Sequence, residues 1–350
     1  MHDQNERYMK KLLFILLSVF CTLTVSAKTR EVTVLQWNIW QEGAMIKGGY
    51  NAIINEIVRL KPDFVTFSEV RNYHHTRFYE RVIKSLAERN ETYYSFLTED
   101  SGLLSRHPIT DSTTVYPLKD DHGSIYRLVS SIEGQEFAIY TGHLDYLNDG
   151  HYNAIGYHGS EWYKIPVPES VTEILVFNDQ SRRDDAIRQF IKVAKEDIAK
   201  DRVVILGGDL NEPSHLDWIR ETKDMYDHHG FIIPWTVSLA LDNAGYIDAY
   251  RALYPDVVKY PGFTYPSDNP LQTLEKLTFA PESDERERID YIYFYPHQNI
   301  KLKDITIFGP NGFVERFKRV KKTSPDPLLT PLGIWPSDHH GLLATFKLKY

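Results

Sequence analysis

Apolar and polar positions along the 350-residue chain change period repeatedly, from two to about three and a half and back. Glu31-Val32-Thr33-Val34-Leu35-Gln36-Trp37 alternates as a half-buried strand does and ends in Asn38-Ile39-Trp40. After Gly48-Gly49, Ile53, Ile54, Ile57, Val58 and Leu60 recur at helical spacing until Pro62 closes the run. Residues 63–67 predict a second strand that leads into Ser68-Glu69-Val70, and a helix is expected over 77–88. Residues 94–97 and 102–105 read as a strand pair. Residues 126–132 and 137–141 read as a hairpin around Glu133-Gly134-Gln135, whose second strand delivers Gly142-His143-Leu144-Asp145. A helix over 181–200, with Ile187, Phe190, Ile191, Ala194 and Ile198 on one face, precedes the β-branched run 202–206, expected as a buried strand. A helix over 237–244, a strand over 288–294 and a last strand over 342–348 complete the pattern.

Polar residues fall where these strands end. Asn38, Glu69, His143 and Asp209/Asn211 follow strands, Asp290 lies near the start of one, and Asp338/His339 precede the last. The centre of the pattern is Gly207-Gly208-Asp209-Leu210-Asn211-Glu212-Pro213, in which the two glycines are expected to turn the backbone as the strand finishes. Strands alternating with helices, with hairpins among them and no domain break over 28–350, predict an α/β fold of two mixed sheets packed together with helices outside.

Composition changes this picture at the amino terminus. Lys10-Lys11 precede the apolar stretch 12–20 and a small-x-small ending at Val25-Ser26-Ala27, so residues 1–27 are expected to be a secretory signal peptide. The apolar run is shorter than the ~20 residues a spanning helix needs, and no stable membrane insertion is expected after cleavage. The protein is then periplasmic or extracellular; a lipoprotein anchored at Cys21, the one cysteine, is the lesser alternative because Val19-Phe20 does not suit such a signal. A mature chain without cysteine relies on its core rather than on disulfides. A net charge of −8 is not the footprint of a tight nucleic-acid binder, so nucleic acid is not the favoured partner. A monomer is expected. Residues 146–179 are rich in Tyr, His, Gly and Pro and show no period; a loop of that length inside a compact unit is usually functional or disordered, and the aromatics argue against disorder.

The strand-end residues offer carboxylates, carboxamides and imidazole, with no thiolate. Such a set selects Mg²⁺, with Mn²⁺ or Ca²⁺ as alternatives, over zinc. Hard cations held by few carboxylates serve phosphate-ester chemistry, in which a base activates water. His339 is the natural base, and Asp290 the group to fix its tautomer. Each residue also has a plain structural reading. Asp209 and Asn211 suit an Asx turn and Asn38 a turn cap. Glu69 suits a surface acid, His143 a satisfied core histidine, Asp290 a pair with Arg288, and Ser337-Asp338 an N-cap.

Taken in order, Trp37-Asn38-Ile39, Ser68-Glu69-Val70, Gly208-Asp209-Leu210-Asn211, Arg288-Ile289-Asp290-Tyr291 and Ser337-Asp338-His339 resemble the motifs of the endonuclease/exonuclease/phosphatase superfamily, the DNase I-like fold. The resemblance runs from about Val32 to the carboxyl terminus. It implies a four-layered α/β sandwich and a Mg²⁺-dependent phosphoric ester hydrolase. On that resemblance Glu69 is the metal carboxylate with Asn38 its neighbour, and Asp338 lies beside the metal. Asp209 and Asn211 position water and phosphoryl oxygens, His339 pairs with Asp290, and His143 contacts phosphate. Arg106 in Ser105-Arg106-His107-Pro108-Ile109 matches a frequent family stretch, and His340, next to His339, is the competing base.

Three functions follow for test. The first is a phosphodiesterase or phosphatase acting on a small or lipid- or sugar-linked ester, favoured by the acidic charge and the aromatic insertion. The second is a DNase-type endonuclease, for which Lys318, Arg319, Lys321 and Lys322 are the available basic cluster. The third is a non-catalytic binding module on the same fold, which has no need of both a metal carboxylate and an oriented base.

Overall fold

The computed structural model describes residues 28–119 and 122–350, so the expected signal peptide lies outside the described residues. The chain forms two six-stranded mixed sheets. The first contains β1 (Thr29–Asn38), β2 (Phe64–Ser68), β3 (Gly102–Ser105), β10 (Ile300–Phe308), β13 (Leu328–Leu329) and β14 (Gly341–Lys349), in the order β13-β10-β14-β1-β2-β3. The second contains β4 (Ile109–Tyr116), β5 (Ser124–Ile132), β6 (Gln135–His143), β7 (Val203–Asp209), β8 (Ile247–Asp248) and β9 (Asp290–Phe294), in the order β4-β5-β6-β7-β9-β8. A separate hairpin pairs β11 (Phe313–Glu315) with β12 (Lys318–Val320).

Strand alternation builds three apolar layers. Val32 and Val34 of the first sheet meet Phe137, Ile139, Val203 and Ile205 of the second, between the sheets. The intervening residues face outward. Leu35, Trp37, Val65 and Phe67 pack under helices α1 (Gly49–Leu60) and α2 (Phe78–Ala87). Ala138, Tyr140, Val204 and Leu206 pack under α5 (Arg183–Ala199) and α6 (Thr236–Asn243). The result is the expected four-layered sandwich. Ile187 and Phe190 of α5 are fully buried, and burial of each such side chain contributes about 1.5–3 kcal/mol.

Strand direction gathers the polar ends. β1 runs parallel to β2 with Asn38 opposite Ser68, and β6 runs parallel to β7 with His143 opposite Asp209. β9 is antiparallel to β7, which sets Asp290 opposite Asp209. β14 is antiparallel to β1, so residues 337–340 lie beside the end of β1. Residues separated by three hundred positions therefore share one edge of the sandwich.

The two glycines do something other than turn the chain. Gly207 and Gly208 lie inside β7, and the strand runs on through Asp209. A Cβ on Gly207 would meet Thr66 Oγ1 at 2.2 Å, and one on Gly208 would meet the Gly142 carbonyl oxygen at 2.3 Å. Gly207 lets the two sheets approach where the site is built, and Gly208 leaves room for the neighbouring β6 backbone at Gly142, which is the other use of a missing side chain. Two further differences stand out. Residues 94–97 form no strand, only a single bridge from Tyr94 to Ser105, and β3 pairs with β2 instead. The unforeseen strands β4 and β10 each lie at or near a sheet edge.

The insertion is ordered. It contains α3 (Gly150–Ala154) and α4 (Val171–Asn178). The guanidinium of Arg183, fully buried, donates to the carbonyl oxygens of Asp145, Leu147 and Asn148 and to Asn178 Oδ1 at 2.7–3.0 Å. Glu212 accepts from Asn178 Nδ2 and from the Val237 amide, both at 2.6 Å. The residue after Asn211 thus ties the insertion to the motif that carries Asp209.

Candidate active site

One cavity of about 380 Å³ opens at the shared sheet edge and is lined by Glu69, His143, Asp209, Asn211, Asp338 and His339. Asn38 and Asp290 stand directly behind these, bonded to them. The sequence-predicted set therefore converges, with Arg106 as the exception. That residue faces Lys61, Glu91 and Tyr93, beside the start of β2 and at the opposite end of that strand from Glu69.

Asp209 is the hub. Its amide donates to Ser68 Oγ at 3.1 Å, and its Oδ1 accepts from the Asn211 amide at 3.0 Å, so the Asx turn is present as well. Its Oδ2 accepts from Asn38 Nδ2 at 2.9 Å. The same Nδ2 donates to Glu69 Oε1 at 3.1 Å, so Asn38 bridges two carboxylates contributed by different sheets. Asn38 Oδ1 accepts from the Trp40 amide at 2.9 Å. Asn211 Nδ2 donates to the Leu144 carbonyl at 2.9 Å, which fixes the amide beside His143.

Two histidine–aspartate pairs flank this hub. His339 Nδ1 bonds Asp290 Oδ2 at 2.9 Å, and its Nε2 stands 3.8 Å from Asp209 Oδ2. His143 Nδ1 bonds Asp100 Oδ2 at 2.5 Å, and its Nε2 stands 3.9 Å from the same Asp209 oxygen. Gln36 Nε2 donates to Asp290 Oδ1 at 3.3 Å, so both oxygens of Asp290 are engaged. Arg288 pairs with Asp217 and Asp248, not with Asp290. Ser337 caps no helix; its hydroxyl donates to the Asn38 carbonyl at 2.8 Å and accepts from the His339 amide at 3.0 Å. His340 turns away, its Nε2–H donating to the Pro310 carbonyl at 2.8 Å, and burial pushes its pKa down to about 4. It is a neutral packing residue.

Backbone strain is present at the site. Trp40, Gln41, Glu69 and Asn211 all adopt left-handed φ, at 40°, 56°, 65° and 48°. Non-glycine residues in that region cost of order 1 kcal/mol each and persist where their surroundings hold them. The Gln41 amide does so for Glu69, donating to Oε2 at 3.0 Å.

The electrostatics show an excess of buried negative charge. Burial would lower the His339 pKa, but Asp290 and then Asp209 carry it up to about 10. Burial likewise opposes the His143 imidazolium, and Asp100, then Asp209 and Glu69, raise it to about 9. Burial pushes Asp338 up to about 7, opposed by His339 and reinforced by Glu69 and Asp209. Asp338 Oδ1 is buried and makes no hydrogen bond among the described residues. An orphaned carboxylate oxygen beside Glu69, in a donor set of oxygens without sulfur, fits a hard divalent cation. Asp209, Asp290 and His339 present atoms within 4.8 Å of one another, but both oxygens of Asp290 are already engaged, by Gln36 and His339. Glu69 and Asp338 are the better candidates for the ion.

Sequence reasoning missed Asp100 and Arg71. Asp100 is buried in a loop; its carbonyl accepts from the Val70 amide at 2.7 Å, which pins it beside the Glu69 turn. Arg71 lies 3.5 Å from Glu69 Oε2, and its place two residues after Glu69 was the one available signal. It also missed the far wall of the cavity, formed by Tyr146, Asp149, His151, Tyr152 and Trp162 of the insertion with Tyr265, Phe279 and Glu287. Tyr265 packs against His339 with ring centroids 4.8 Å apart and the planes tilted by 46°.

Comparison with known proteins places this geometry. A protein of Caenorhabditis elegans, described as uncharacterized protein F14F9.5, is 25% identical over 349 residues, covering 96% of this chain and 98% of its own. The structure of TDP2 from C. elegans superposes with a TM-score of 0.51 at 17% identity, over 90% of this chain and 75% of that one. D. rerio TDP2, complexed with a single-strand DNA product, gives 0.50 at 14% identity, over 90% and 98%. These likenesses speak to the fold. Residues 35–339 match the model of the Endonuclease/Exonuclease/phosphatase family, whose members hydrolyse phosphoesters and generally depend on Mg²⁺. The chain belongs to the endonuclease/exonuclease/phosphatase family.

Proposed function

We propose that the protein is an exported, divalent-metal-dependent phosphoesterase that hydrolyses a small sugar- or lipid-linked phosphate ester, with His339 as the base that activates water. The observation that carries this reading is the His339–Asp290 bond at 2.9 Å, with the free Nε2 turned into the cavity toward Asp209. Asp290 holds the Nδ1–H tautomer, so Nε2 is the atom that takes the proton. Asp209 orients the water from the other side. His143, kept protonated by Asp100, and the Asn211 amide face the phosphoryl oxygens, where their donors stabilise developing charge. Glu69 and Asp338 are the residues that would hold the cation, with Asn38 keeping Glu69 and Asp209 in place. A cation there supplies positive charge that offsets the phosphoryl oxygens and the acidic field now holding the proton on His339.

The acidic lining favours a small ester over a nucleic acid. Arg71 is the one arginine or lysine lining the cavity among the described residues. Within the basic cluster expected to serve a nuclease, Arg319 is paired with Asp268, and Lys322 donates to the Ser324 carbonyl.

The test uses purified protein with Mg²⁺ against sugar and inositol phosphates, a generic phosphodiester and plasmid DNA. Turnover of the small esters is expected. His339→Ala is expected to lose about 10²–10⁴-fold in kcat while remaining folded in buffer, as read by circular dichroism. Plasmid nicking at catalytic concentrations would move the assignment to a nuclease, and full activity in the variant would remove His339 from the mechanism.

A further inference from the structure

The cavity extends well past the strand-end residues. Its far wall carries three aromatic rings in a row: Trp162 lies 6.3 Å from Tyr146 with the planes within 6°, and 4.8 Å from Phe279 with the planes at 30°. Tyr146 and Phe279 remain 40% and 46% exposed, so the row is an open platform and not core. Trp162 is half-buried and held at φ +55°, an uncommon conformation for a bulky residue. Its amide donates to the His158 carbonyl at 2.8 Å, which closes the turn that presents the ring.

Beside this platform lie three buried polar side chains, Asp149, His151 and Glu287. His151 is 3% exposed, and its Nε2, buried 3.7 Å from Glu287 Oε1, has no hydrogen-bond partner among the described residues. Burial holds its imidazole neutral, with a pKa pushed down to about 3. Leaving such a group unsatisfied costs about 1–3 kcal/mol, which a ligand hydroxyl would recover. Asp149 accepts from the His151 amide at 2.8 Å through Oδ1, and Glu287 accepts from Trp218 Nε1 at 3.0 Å through Oε1.

We infer that this platform and the Asp149–His151–Glu287 group form a subsite for an unphosphorylated, hydroxyl-rich ring, so that the substrate is a sugar or cyclitol carrying a single phosphoester. The inference rests on the phosphoesterase reading and names its substrate class. A flat ring face of C–H groups lies against the aromatic row, while ring hydroxyls donate to the carboxylates and bond His151 Nε2. A purely apolar ligand would strand the three polar groups in a dry site. Additional phosphates would meet acids with no lysine or arginine among the described residues of the subsite to receive them. The cavity volume of about 380 Å³ falls within the ~300–1,000 Å³ usual for small-ligand sites.

The experiment has two arms, each with the full protein and with Trp162→Ala. In the first, with Mg²⁺, turnover of myo-inositol 1-phosphate and glucose 1-phosphate is compared with ethyl phosphate, each also as its methyl diester. Trp162→Ala is expected to lower kcat/KM at least tenfold for the ring esters, mainly through KM, and to leave the ethyl esters within twofold. In the second, with EDTA present, tryptophan fluorescence is titrated with unphosphorylated inositol and glucose. A saturable change in the native protein, absent from Trp162→Ala, is expected. An equal loss on ring and ethyl esters, no saturable change, or a change produced by choline or a nucleoside in place of the polyols would overturn the subsite. A retained polyol titration without turnover of any ester would sink the phosphoesterase reading and leave the subsite standing.

Discussion

Replacing Asp338 by asparagine should stabilise the metal-free protein and inactivate it. Asp338 is 7% exposed, its Oδ1 has no partner, and its charged neighbours include Glu69 and Asp209. Burial is the largest reason its carboxyl is pushed from 3.8 up to about 7. The folded pKa lies above the unfolded one, so the charged form penalises folding; the penalty is absent below 3.8 and complete above about 7. A shift of about 3 units at ~1.4 kcal/mol each gives a ceiling of about 4 kcal/mol. An unsatisfied buried group costs about 1–3 kcal/mol, so about 2 kcal/mol, below that ceiling, is the working figure. Asparagine keeps the shape, removes the charge and can donate to the facing carboxylates. In EDTA at pH 8, urea unfolding should give Asp338→Asn a midpoint roughly 0.7 M higher, taking a slope of about 3 kcal/mol per M. With Mg²⁺ at about a hundred times its Kd, the wild type gains about 2.7 kcal/mol and the order should reverse. A variant less stable than wild type in EDTA, or equal stabilisation of both by Mg²⁺, would refute the assignment of Asp338 as a strained carboxylate waiting for a cation.

Three other outcomes are expected. Gly207→Ala should destabilise by about 1–3 kcal/mol through overpacking against Thr66, and adding Thr66→Ala should recover at least half of that loss in a double-mutant cycle; no recovery would contradict the close approach of the sheets. Asp100→Asn should lower kcat about 10–100-fold with little change in KM and shift the pH profile, because it acts through His143, whose proton Asp100 retains; an unchanged pH profile would make its role purely structural. For His151 the folded pKa of about 3 lies below the unfolded 6.5, so its contribution is intact above about 6.5 and is lost as pH falls toward 3. Wild type should therefore lose about 2 kcal/mol more than His151→Gln between pH 6 and pH 4.5, read as the difference in urea midpoints; parallel curves would show that His151 is not buried in neutral form.

Much of this site was legible because it sits on regular elements. Asn38, Glu69, His143 and Asp209 mark the ends of strands whose alternation is plain, and parallel pairing then forces their convergence. Asp290 and His339 were legible for the same reason, read from the opposite strand sense. The pair Gly207-Gly208 was legible but misread. A turn and a close approach both require a missing Cβ, and only the extended geometry of β7, with Thr66 against it, separates them. The strand β10 carried a usable alternation in Ile300–Phe308 that was passed over, whereas β4 has five successive exposed positions, Thr110–Thr114, and offered almost none.

The insertion was opaque for a different reason, and that reason bears on function. Its residues are not selected for a repeating apolar face, since its conformation is imposed by anchors outside it, Arg183 and Glu212, acting on carbonyls and on Asn178. A segment fixed in that way is free to present side chains for a ligand at positions without period. Tyr146, Asp149, His151 and Trp162 are such positions, and they share a cavity with the strand-end residues, whose placement follows from the sheets. The residues proposed to carry the chemistry were therefore readable from strand ends, while those of the proposed subsite lie in a stretch that periodicity cannot read. Exchanging that stretch should change which ester is cleaved without moving His339 or Asp290, because neither depends on a contact from it.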